Sequence, residues 1–426
     1  MPSATEPLPG TSDLWEPEVL DWNELETASR EIFHRYGYCE VRTPIFERTE
    51  VFTRSLGDET DVVQKEMYTF DDRGGRSLTL RPEGTAGVIR AIADHGLGTG
   101  EEARVFYFGP MFRGERPAAG RRRQFHQVGV EAVGNNSPWM DAECMAMLGQ
   151  FLEHVGITGS LLKINSRGIP EDRPQVNAAL TEHFTPRVQE MCADCQRRLH
   201  TNIWRMLDCK QPACQEIASQ APDLVSLMSA DTRDFFARVR QALDRLGVAY
   251  EVAPRLVRGL DYYIHTVFEV THDGLGAQDA LTGGGRYQIT LPGAKKPIEG
   301  VGFAAGMERL LMARASLGRQ ATTPPEADIY LVNLGAEAIL PGLQLAQELR
   351  ADFSGIRVKC DFSSRSLKAQ MRSAHRSGAR LVLMRGSDEL LSGQIICRLM
   401  STSEQQTLSL GDLSSWVSSQ TGILFA

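Results

Sequence analysis

Five arginines of this chain stand between positions 113 and 123, in the company of a single acid. They are Arg113, Arg116, Arg121, Arg122 and Arg123, and the acid is Glu115. A run of charge is most often a solvated loop, but planar guanidinium groups also match the geometry of phosphate oxygens. Glycine, proline and aromatic residues surround these arginines, so the pattern favours a site that binds a polyphosphate.

Two strand patterns flank the arginines and would fix their position. Residues 105–108 form an apolar run typical of a buried strand, and a second strand pattern begins at Gln124. Strand side chains alternate between two faces, so Gln127, Gly129 and Glu131 share one face. The sequence therefore predicts an antiparallel hairpin with a long, mobile, basic tip.

A second group of polar residues follows an alternating strand pattern at 77–81. Pro82 marks a turn, and Glu83 and Thr85 stand in it ahead of an apolar helix. Taken alone, the two residues are expected to cap that helix. A carboxylate at the end of a strand is also well placed to hold an ammonium group, which gives this pair a second interpretation.

Glycine is concentrated at residues 283–285, within the stretch 281–287. Three glycines in a row are typical of a tight hairpin turn, and they also let the backbone approach a ligand closely. Another glycine-containing stretch, 300–306, precedes a helix that carries Arg309 near its start.

Eight cysteines are scattered along the chain in a way that is unlike a secreted disulfide framework. Four of them cluster as two pairs, with two and four intervening residues: Cys192, Cys195, Cys209 and Cys214. Such pairs can form a structural zinc site with four thiolate ligands, which would not be catalytic because protein fills every position. Four reduced thiols packed in a small core are the alternative.

The composition indicates a soluble globular protein. Of its 426 residues, 42% are hydrophobic and 23% charged, which suits two or three domains, and the net charge of −8 means that any RNA contact must come from local basic patches. Neither a signal peptide nor an apolar run of membrane-spanning length is visible, so a cytoplasmic location is expected. Residues 1–11, rich in proline and serine, are expected to be poorly ordered.

Residues 111–127 resemble motif 2 of the class II aminoacyl-tRNA synthetases, in the form found in histidyl-tRNA synthetases. Other stretches resemble that family in the same order along the chain: the N-terminal signature at 10–14, a helix and strand at 17–44 that resemble motif 1, the Arg-Gly-Leu-Asp-Tyr-Tyr segment within 256–263, the glycine-rich stretch at 281–287, and motif 3 at 300–310. Three positions depart from the usual family pattern, namely Glu16, Ala118 and Gln288.

This resemblance implies a fold. It is an α+β catalytic core built on an antiparallel sheet, the class II synthetase fold, with a helical insertion domain and a C-terminal α/β anticodon-binding domain. The expected boundaries are 1–169 and 248–318 for the two parts of the core, 170–247 for the insertion, 319–327 for a linker and 328–426 for the anticodon-binding domain.

The resemblance also implies an activity. A ligase of this family activates L-histidine with ATP, aided by Mg²⁺, to histidyl-adenylate and transfers it to the 3′ end of histidine tRNA. The arginines implied in catalysis are Arg113, Arg258 and Arg309. The implied histidine-binding residues are Glu83, Thr85, Arg113, Gln127, Glu131, Arg258, Tyr262, Tyr263 and Tyr287. The implied ATP-binding residues are Arg113, Glu115, Arg121, Phe125 and Arg309.

The implied partners are tRNA and a second copy of the chain, with a homodimer formed through motif 1. Contacts to tRNA are expected from Arg116 in the hairpin tip and from a row on a helix at 366–377, formed by Lys368, Arg372 and Arg376. Between 355 and 380 there are seven Lys or Arg residues and one acid. On the opposite side of that helix, Leu367, Met371 and Ala374 are expected to face inward.

Two other functions fit the same resemblance. One is the catalytically inactive paralogue that regulates histidine biosynthesis, and the other is an RNA- or stress-sensing pseudo-synthetase module. The inactive paralogue lacks the anticodon-binding domain and has lost motif arginines. Arg113, Arg258, Arg309 and a C-terminal domain are all present here, which favours the enzyme over both alternatives.

Overall fold

The computed structural model describes residues 5–57, 60–97, 101–118, 120–276, 279–363, 365–420 and 422. The chain separates into two compact units, Met1–Ala321 and Thr322–Ala426. The point of division lies within the stretch 319–327 that we expect to be a linker. No helix of the described residues combines the length and the apolar character needed to cross a membrane.

The larger unit contains the following elements in chain order: α1 (Glu18–Arg35), β1 (Cys39–Glu40), β2 (Phe46–Arg48), α2 (Thr49–Leu56), β3 (Thr69–Asp71), β4 (Ser77–Leu80), α3 (Thr85–Asp94), β5 (Ala103–Phe112), β6 (Gln124–Val133), α4 (Pro138–His154), β7 (Leu161–Ser166), α5 (Arg173–Phe184), α6 (Ala193–Thr201), α7 (Pro212–Ser219), α8 (Ala230–Leu246), β8 (Glu251–Val252), β9 (Tyr263–Thr271), β10 (Ala280–Ile289), β11 (Ile298–Gly306) and α9 (Met307–Ser316).

An eight-stranded sheet forms the centre of this unit, in the order β1-β5-β6-β11-β10-β9-β7-β8. Its six central strands are antiparallel, and the edge strands β1 and β8 each pair with their neighbour in parallel. The expected antiparallel α+β core is therefore confirmed. The predicted hairpin is β5 and β6, whose pairing runs from Ala103 opposite Val133 to Phe112 opposite Gln124.

The glycine-rich stretch 281–287 is part of strand β10 in the middle of the sheet, so of its two interpretations the tight hairpin turn is wrong. The reason is close packing between neighbouring strands. A Cβ atom on Gly284 would collide with the carbonyl oxygen of Gly302 on β11. Glycine is needed here because the backbones and side chains of β9 and β11 leave no room for a side chain.

A buried ion pair joins β10 to helix α4. The side chains of Arg286 and Asp141 are 1% and 0% exposed, and Nη2 of the arginine lies 2.6 Å from Oδ1 of the aspartate. The guanidinium also donates to the carbonyl oxygens of Asn135 and Ser137, both at 3.1 Å. The arginine is thereby satisfied, and its neighbour Tyr287 is held in place.

We expect Asp141→Asn to lower the free energy of unfolding by about 3–5 kcal/mol, because it leaves a buried guanidinium without its counter-charge. Urea unfolding measures the effect. The matched control on the same helix is Glu143→Gln. Glu143 is 39% exposed and pairs with Arg104 at 2.7 Å, so its loss should cost less than about 1 kcal/mol. Equal losses in the two variants would contradict the prediction.

Residues between β7 and β8 are helical, as predicted, and have a core of their own. Helices α5, α6 and α7 and three short 3₁₀ segments surround a cluster of buried side chains that includes Phe184, Trp204 and Met206. Helix α8 packs elsewhere, since Phe236, Val239 and Leu243 join the core that lies beneath the eight-stranded sheet.

The smaller unit contains β12 (Ile329–Asn333), α10 (Ile339–Asp352), β13 (Val358–Cys360), α11 (Leu367–Arg376), β14 (Leu381–Arg385), α12 (Ser387–Ser392), β15 (Gln394–Leu399), β16 (Gln405–Ser409) and α13 (Leu413–Ser419). Its five-stranded sheet has the order β13-β12-β14-β15-β16, with the first three strands parallel and the last two antiparallel. The α/β prediction is confirmed.

Helix α11 does not present the inward face that its sequence suggests. Ala374 is buried, but Leu367 is 44% exposed, so that part of the prediction is wrong. Gln370 is buried as completely as Ala374, and it donates to the backbone oxygen of Asn333 at 2.7 Å and accepts its N–H at 2.9 Å. The side-chain amide of Gln370 completes the hydrogen bonds at the end of β12. Hydrophobic periodicity cannot predict this, because it takes no account of backbone hydrogen bonds.

Candidate active site

Nine residues predicted to bind histidine line a single cavity of about 80 Å³ in the larger unit. They are Glu83, Thr85, Arg113, Gln127, Glu131, Arg258, Tyr262, Tyr263 and Tyr287. The cavity also contacts five residues that the sequence prediction missed: Leu260, Gly283, Gly302, Phe303 and Ala304. Phe303 and Ala304 stand on β11 beside Gly302, and only the register of the sheet reveals them.

The sheet explains why residues so distant in sequence converge. Gln127 and Glu131 stand on the same face of β6, whereas Tyr263 and Tyr287 are directly paired on β9 and β10. Strand β11 lies between β6 and β10, and Gly302, opposite Glu131, keeps it free of a side chain. A Cβ atom on Gly302 would collide with Oε2 of Glu131.

Glu83 caps a helix and also lines the cavity. Its carboxylate accepts the backbone N–H groups of Thr85 and Ala86 at 2.9 and 2.8 Å, so it caps helix α3. The same side chain lines the cavity. Burial raises the pKa of Glu83, while these two N–H bonds oppose the shift. The carboxylate is fixed before any ligand arrives.

Glu131 is the most perturbed acid of the cavity. Its side chain is 1% exposed. Burial raises its pKa to about 8, and the negative charge of Glu83 acts in the same direction. Among the described residues, Oε2 of Glu131 and Oε1 of Gln127 have no hydrogen-bond partner, and hydrogen bonding from the side chains of Thr85 and Tyr287 partly offsets the rise in the pKa of Glu131. Buried polar atoms without partners are rare in folded proteins, so this group indicates a polar ligand.

Two of the three predicted catalytic arginines border the cavity. Arg113 donates to the carbonyl oxygen of Pro82 at 2.9 Å, and its guanidinium lies 5.2 Å from the ring centroid of Phe125. Arg258 pairs with Glu269, with Nη1 and Oε2 2.7 Å apart. Burial lowers the pKa of Arg258, but Tyr263 and Glu269 outweigh that effect, so the pKa is raised. The pairing with Glu269 is a second feature that the sequence prediction missed.

Arg309 lies apart from that cavity lining, against the base of the hairpin tip. It donates to the carbonyl oxygens of Ala280 and Gly120, at 2.7 and 3.3 Å. Burial lowers its pKa, and the charge of Arg121 adds to the shift. Arg309 is therefore not among the residues that line this cavity, and it contacts the hairpin tip at Gly120 instead.

The remaining residues of the hairpin form a second polar group. Glu115 lies 3.9 Å from Arg113 and 3.4 Å from Arg121, measured between carboxylate oxygens and guanidinium nitrogens. Glu66 is close by. Burial raises the pKa of Glu66, and the negative charge of Glu115 raises it further. Arg116 is exposed. This group of alternating charges extends from the cavity toward Arg309.

The N-terminal segment secures the base of the hairpin. The carbonyl oxygen of Gly10 accepts the N–H groups of Arg123 and Gln124, at 2.9 and 3.1 Å. The side chain of Arg122 donates to the hydroxyl of Ser12. The expectation of poor order is wrong for this part of residues 1–11; residues 1–4 lie outside the described residues.

The four clustered cysteines lie together, away from the cavity lining. Their sulfur atoms are all within 4.8 Å of one another. In the described residues this is the one group of three or more His, Cys, Asp or Glu side chains with metal-binding spacing.

The basic residues of the smaller unit are largely paired. Arg357 and Arg380 pair with Asp328, Lys359 pairs with Glu326, and Arg365 pairs with Asp361. Two of these acids lie before position 355, so the charge count over 355–380 overstates the local positive charge. Lys368, Arg372 and Arg376 are exposed on helix α11, and within the described residues they have no ion-pair partner at salt-bridge distance.

Comparison with known proteins gives consistent results over the whole chain. Residues 10–310 match the family model described as histidyl-tRNA synthetase, and residues 328–420 match the anticodon-binding domain model. The histidine–tRNA ligase of Syntrophotalea carbinolica is 46% identical over 406 residues, which cover 95% of this chain and 96% of the relative. That of Halothermothrix orenii is 45% identical, with the same coverage. A crystal structure of apo histidyl-tRNA synthetase from S. aureus is 35% identical, covers 97% of this chain and 99% of its own, and has a TM-score of 0.78.

Proposed function

This chain belongs to the histidyl-tRNA synthetase family and is a histidine–tRNA ligase, which charges histidine tRNA with histidine. From that premise we propose that the cavity around Glu131 is the histidine site, and that the hairpin between β5 and β6 holds ATP beside it. The observation that carries this assignment is the pair of unpartnered buried oxygens, Oε2 of Glu131 and Oε1 of Gln127, in one enclosed space.

Histidine offers this cavity three recognisable groups. The imidazole ring meets Glu131 on one side and Tyr263 on the other, with Tyr287 and Gln127 nearby and Tyr262 supporting. The α-ammonium group meets Glu83 and Thr85 at the start of helix α3. The carboxylate lies between Arg113 and Arg258. An amino acid without imidazole nitrogens would leave these buried groups unpaired, which is how a polar site rejects wrong substrates without an editing domain.

The first chemical step needs charge stabilisation more than proton transfer. A carboxylate oxygen of histidine attacks the α-phosphorus of ATP, and the bond to pyrophosphate breaks. Arg113 and Arg258 offset the negative charge that develops on the phosphate oxygens. Phe125 stacks on adenine, Arg121 and Glu115 contact the nucleotide, and Arg309 reaches the γ-phosphate. A hydroxyl at the 3′ end of histidine tRNA then attacks the carbonyl carbon of the adenylate, so that the histidyl group passes to the tRNA and AMP leaves.

Magnesium fits this arrangement, because Mg²⁺ is usually held by one or two carboxylates together with substrate phosphates. Glu66 and Glu115 are close enough for the charge of one to raise the pKa of the other, and they face the arginines of the hairpin. We propose them as the carboxylates that hold it. When bound, the ion would neutralise charge on the phosphate oxygens of ATP.

For tRNA, we propose that Arg116 contacts the acceptor end and that Lys368, Arg372 and Arg376 contact phosphates in the anticodon region. We also propose a homodimer formed through the motif 1 region. The supporting observation is apolar surface beside that region: Ile45, Phe46 and Phe70 are 44%, 50% and 45% exposed. Exposed apolar groups of this kind mark protein interfaces.

The raised pKa of Glu131 gives a test of the histidine site. In the complex with histidine, the Glu131 carboxylate and the imidazole ring share one proton. Free histidine loses its imidazole proton near pH 6.5, whereas Glu131 keeps its own proton up to about pH 8. Between these values binding needs no net proton, so the KM for histidine in ATP–pyrophosphate exchange should be nearly constant. Above about pH 8 the KM for histidine should rise, because Glu131 is then deprotonated and binding must take up a proton from solvent.

The alternative outcomes of this experiment are distinct. If Glu131 titrated like an ordinary glutamate, the KM would rise about tenfold per pH unit from about pH 6.5 upward. The control is Glu131→Gln, whose KM should be higher and should not rise above pH 8. An absence of exchange with histidine in the unaltered protein would refute the assignment of this cavity.

A further inference from the structure

We propose that Cys192, Cys195, Cys209 and Cys214 bind one structural zinc ion, and that this ion fixes the segment of chain that supports the loop carrying Arg258. The two halves of the proposal rest on different observations. The metal site follows from the positions of the four sulfur atoms. The support of the loop follows from the contacts of residues 202–205, and it rests in addition on the proposed role of Arg258.

The sulfur atoms have the spacing of a tetrahedral thiolate site. All four lie within 4.8 Å of one another, and the sulfurs of Cys192 and Cys209 are 3.8 Å apart. Four sulfurs placed about 2.3 Å from a central zinc ion are separated by about 3.8 Å. All four cysteines are free, and none is joined in a disulfide. Four thiolates with no nitrogen or oxygen ligand favour zinc over magnesium or calcium.

The surroundings of the sulfurs suit a closed structural site. Cys195 and Cys214 are 0% exposed and Cys209 is 8% exposed, so water has little access. The backbone N–H of Cys192 donates to the sulfur of Cys214 at 3.2 Å, as expected where a sulfur carries negative charge. If the four cysteines were only reduced thiols packed in an apolar core, there would be no reason for the sulfur atoms of two separate pairs to lie together.

The local fold also needs additional stabilisation. Helix α6 begins just after Cys192 and has nine residues. Helix α7 contains Cys214 and has eight residues. Helices this short are marginal without tertiary support. The cysteines are part of the core that these helices share with Phe184 and Trp204. A metal ion commonly supplies the missing stability in a small fold of this kind.

The chain between the two cysteine pairs reaches the loop of Arg258. Asn202 donates to a carboxylate oxygen of Asp261 at 3.3 Å. The guanidinium of Arg205 lies so close to Gly259 that a Cβ atom there would be 3.2 Å from Nη1. Residues 202–205 lie between Cys195 and Cys209 in the sequence. An ion bound to these two cysteines therefore holds fixed the residues that contact Gly259, next to Arg258, and Asp261.

The first experiment is metal analysis of the untagged, full-length protein. We expect one zinc ion per chain. Cys214→Ser should lose it, whereas Cys39→Ser, which alters an exposed cysteine of strand β1, should retain it. Less than about 0.2 zinc per chain, iron in its place, or retention of zinc by Cys214→Ser would overturn the proposal.

A second measurement covers the case in which Cys214→Ser fails to fold. Zinc is removed from the unaltered protein with a chelator, and Co²⁺ is added in its place. Tetrahedral cobalt bound to four thiolates has intense visible absorption bands and sulfur-to-cobalt charge-transfer bands. We expect both to saturate at one Co²⁺ per chain. Spectra of octahedral cobalt would contradict a site made of four cysteines.

The effect on the Arg258 loop is tested by Arg205→Ala. We expect this variant to retain its zinc, to lose at least tenfold in kcat for histidine-dependent exchange, and to keep its KM for ATP. Chelation of the unaltered protein should give a similar loss, restored by added zinc. Unchanged exchange in Arg205→Ala would refute the support of the loop. An unaltered protein that contains zinc but shows no histidine-dependent exchange would refute the proposed function and leave the metal site standing.

Discussion

Replacement of Arg258 by alanine is expected to reduce kcat for histidine-dependent ATP–pyrophosphate exchange by about 10²–10³-fold, while ATP still binds. Removal of one preorganised group that stabilises developing negative charge costs about that much. Arg258 borders the cavity, and Glu269 holds its Nη1 at 2.7 Å. Exchange kinetics and equilibrium binding of ATP measure the two effects separately.

The matched control for this variant is Glu269→Gln. It removes the counter-charge but leaves the guanidinium, so kcat should fall much less than in Arg258→Ala. Added guanidinium ion should restore part of the activity of Arg258→Ala, because the alanine leaves space beside Gly283, whose missing Cβ already makes room for the arginine. Unchanged exchange in Arg258→Ala would remove this residue from the mechanism.

Glu131→Gln is expected to raise the KM for histidine by about 10²-fold with a smaller change in kcat. A hydrogen bond to a charged group contributes about 1.5–3 kcal/mol, and 1.4 kcal/mol corresponds to a factor of ten. Glutamine keeps the shape of the side chain, so the cavity is preserved. The same variant should melt at a higher temperature than the unaltered protein at pH 8.

The stability change follows from the direction of the pKa shift. A carboxyl whose pKa is raised in the folded protein, here to about 8, destabilises the fold progressively as the pH rises from about 4.3, its value in unfolded chains. Glutamine removes that cost. Lower activity together with higher stability would indicate that Glu131 is retained for binding. A loss of both would instead indicate a structural role.

Glu83→Gln serves as the contrasting control. Glu83 accepts two backbone N–H groups at the start of helix α3, and an amide can accept through only one of its two terminal atoms. We expect this variant to lose histidine binding and thermal stability together. The comparison separates an acid used for ligand recognition from an acid that also completes the fold.

Local patterns predicted the site well where a single element determines geometry. Strand alternation places Gln127 and Glu131 on the same face of β6, and both line the cavity. The helix that follows Thr85 was likewise visible from its apolar residues. These features depend on residues a few positions apart, so the sequence carries them directly.

Features that depend on the order of the strands were not accessible in this way. The pairing of Arg258 with Glu269 requires that the loop before β9 folds back onto that strand. Gly302 faces Glu131 only because β11 lies beside β6. The inward position of Gln370 depends on an unpaired backbone group at the end of β12. Each depends on contacts between different elements of the fold, which hydrophobic periodicity does not predict.

The bonds from Gly10 to Arg123 and Gln124 have a consequence for how the enzyme can be handled and inactivated. The start of the chain bridges the base of the hairpin between β5 and β6, so we expect truncation beyond residue 9 to loosen that hairpin. Cleavage by a protease just after Gly10 should therefore lower the activity of the ligase without altering any side chain of the cavity.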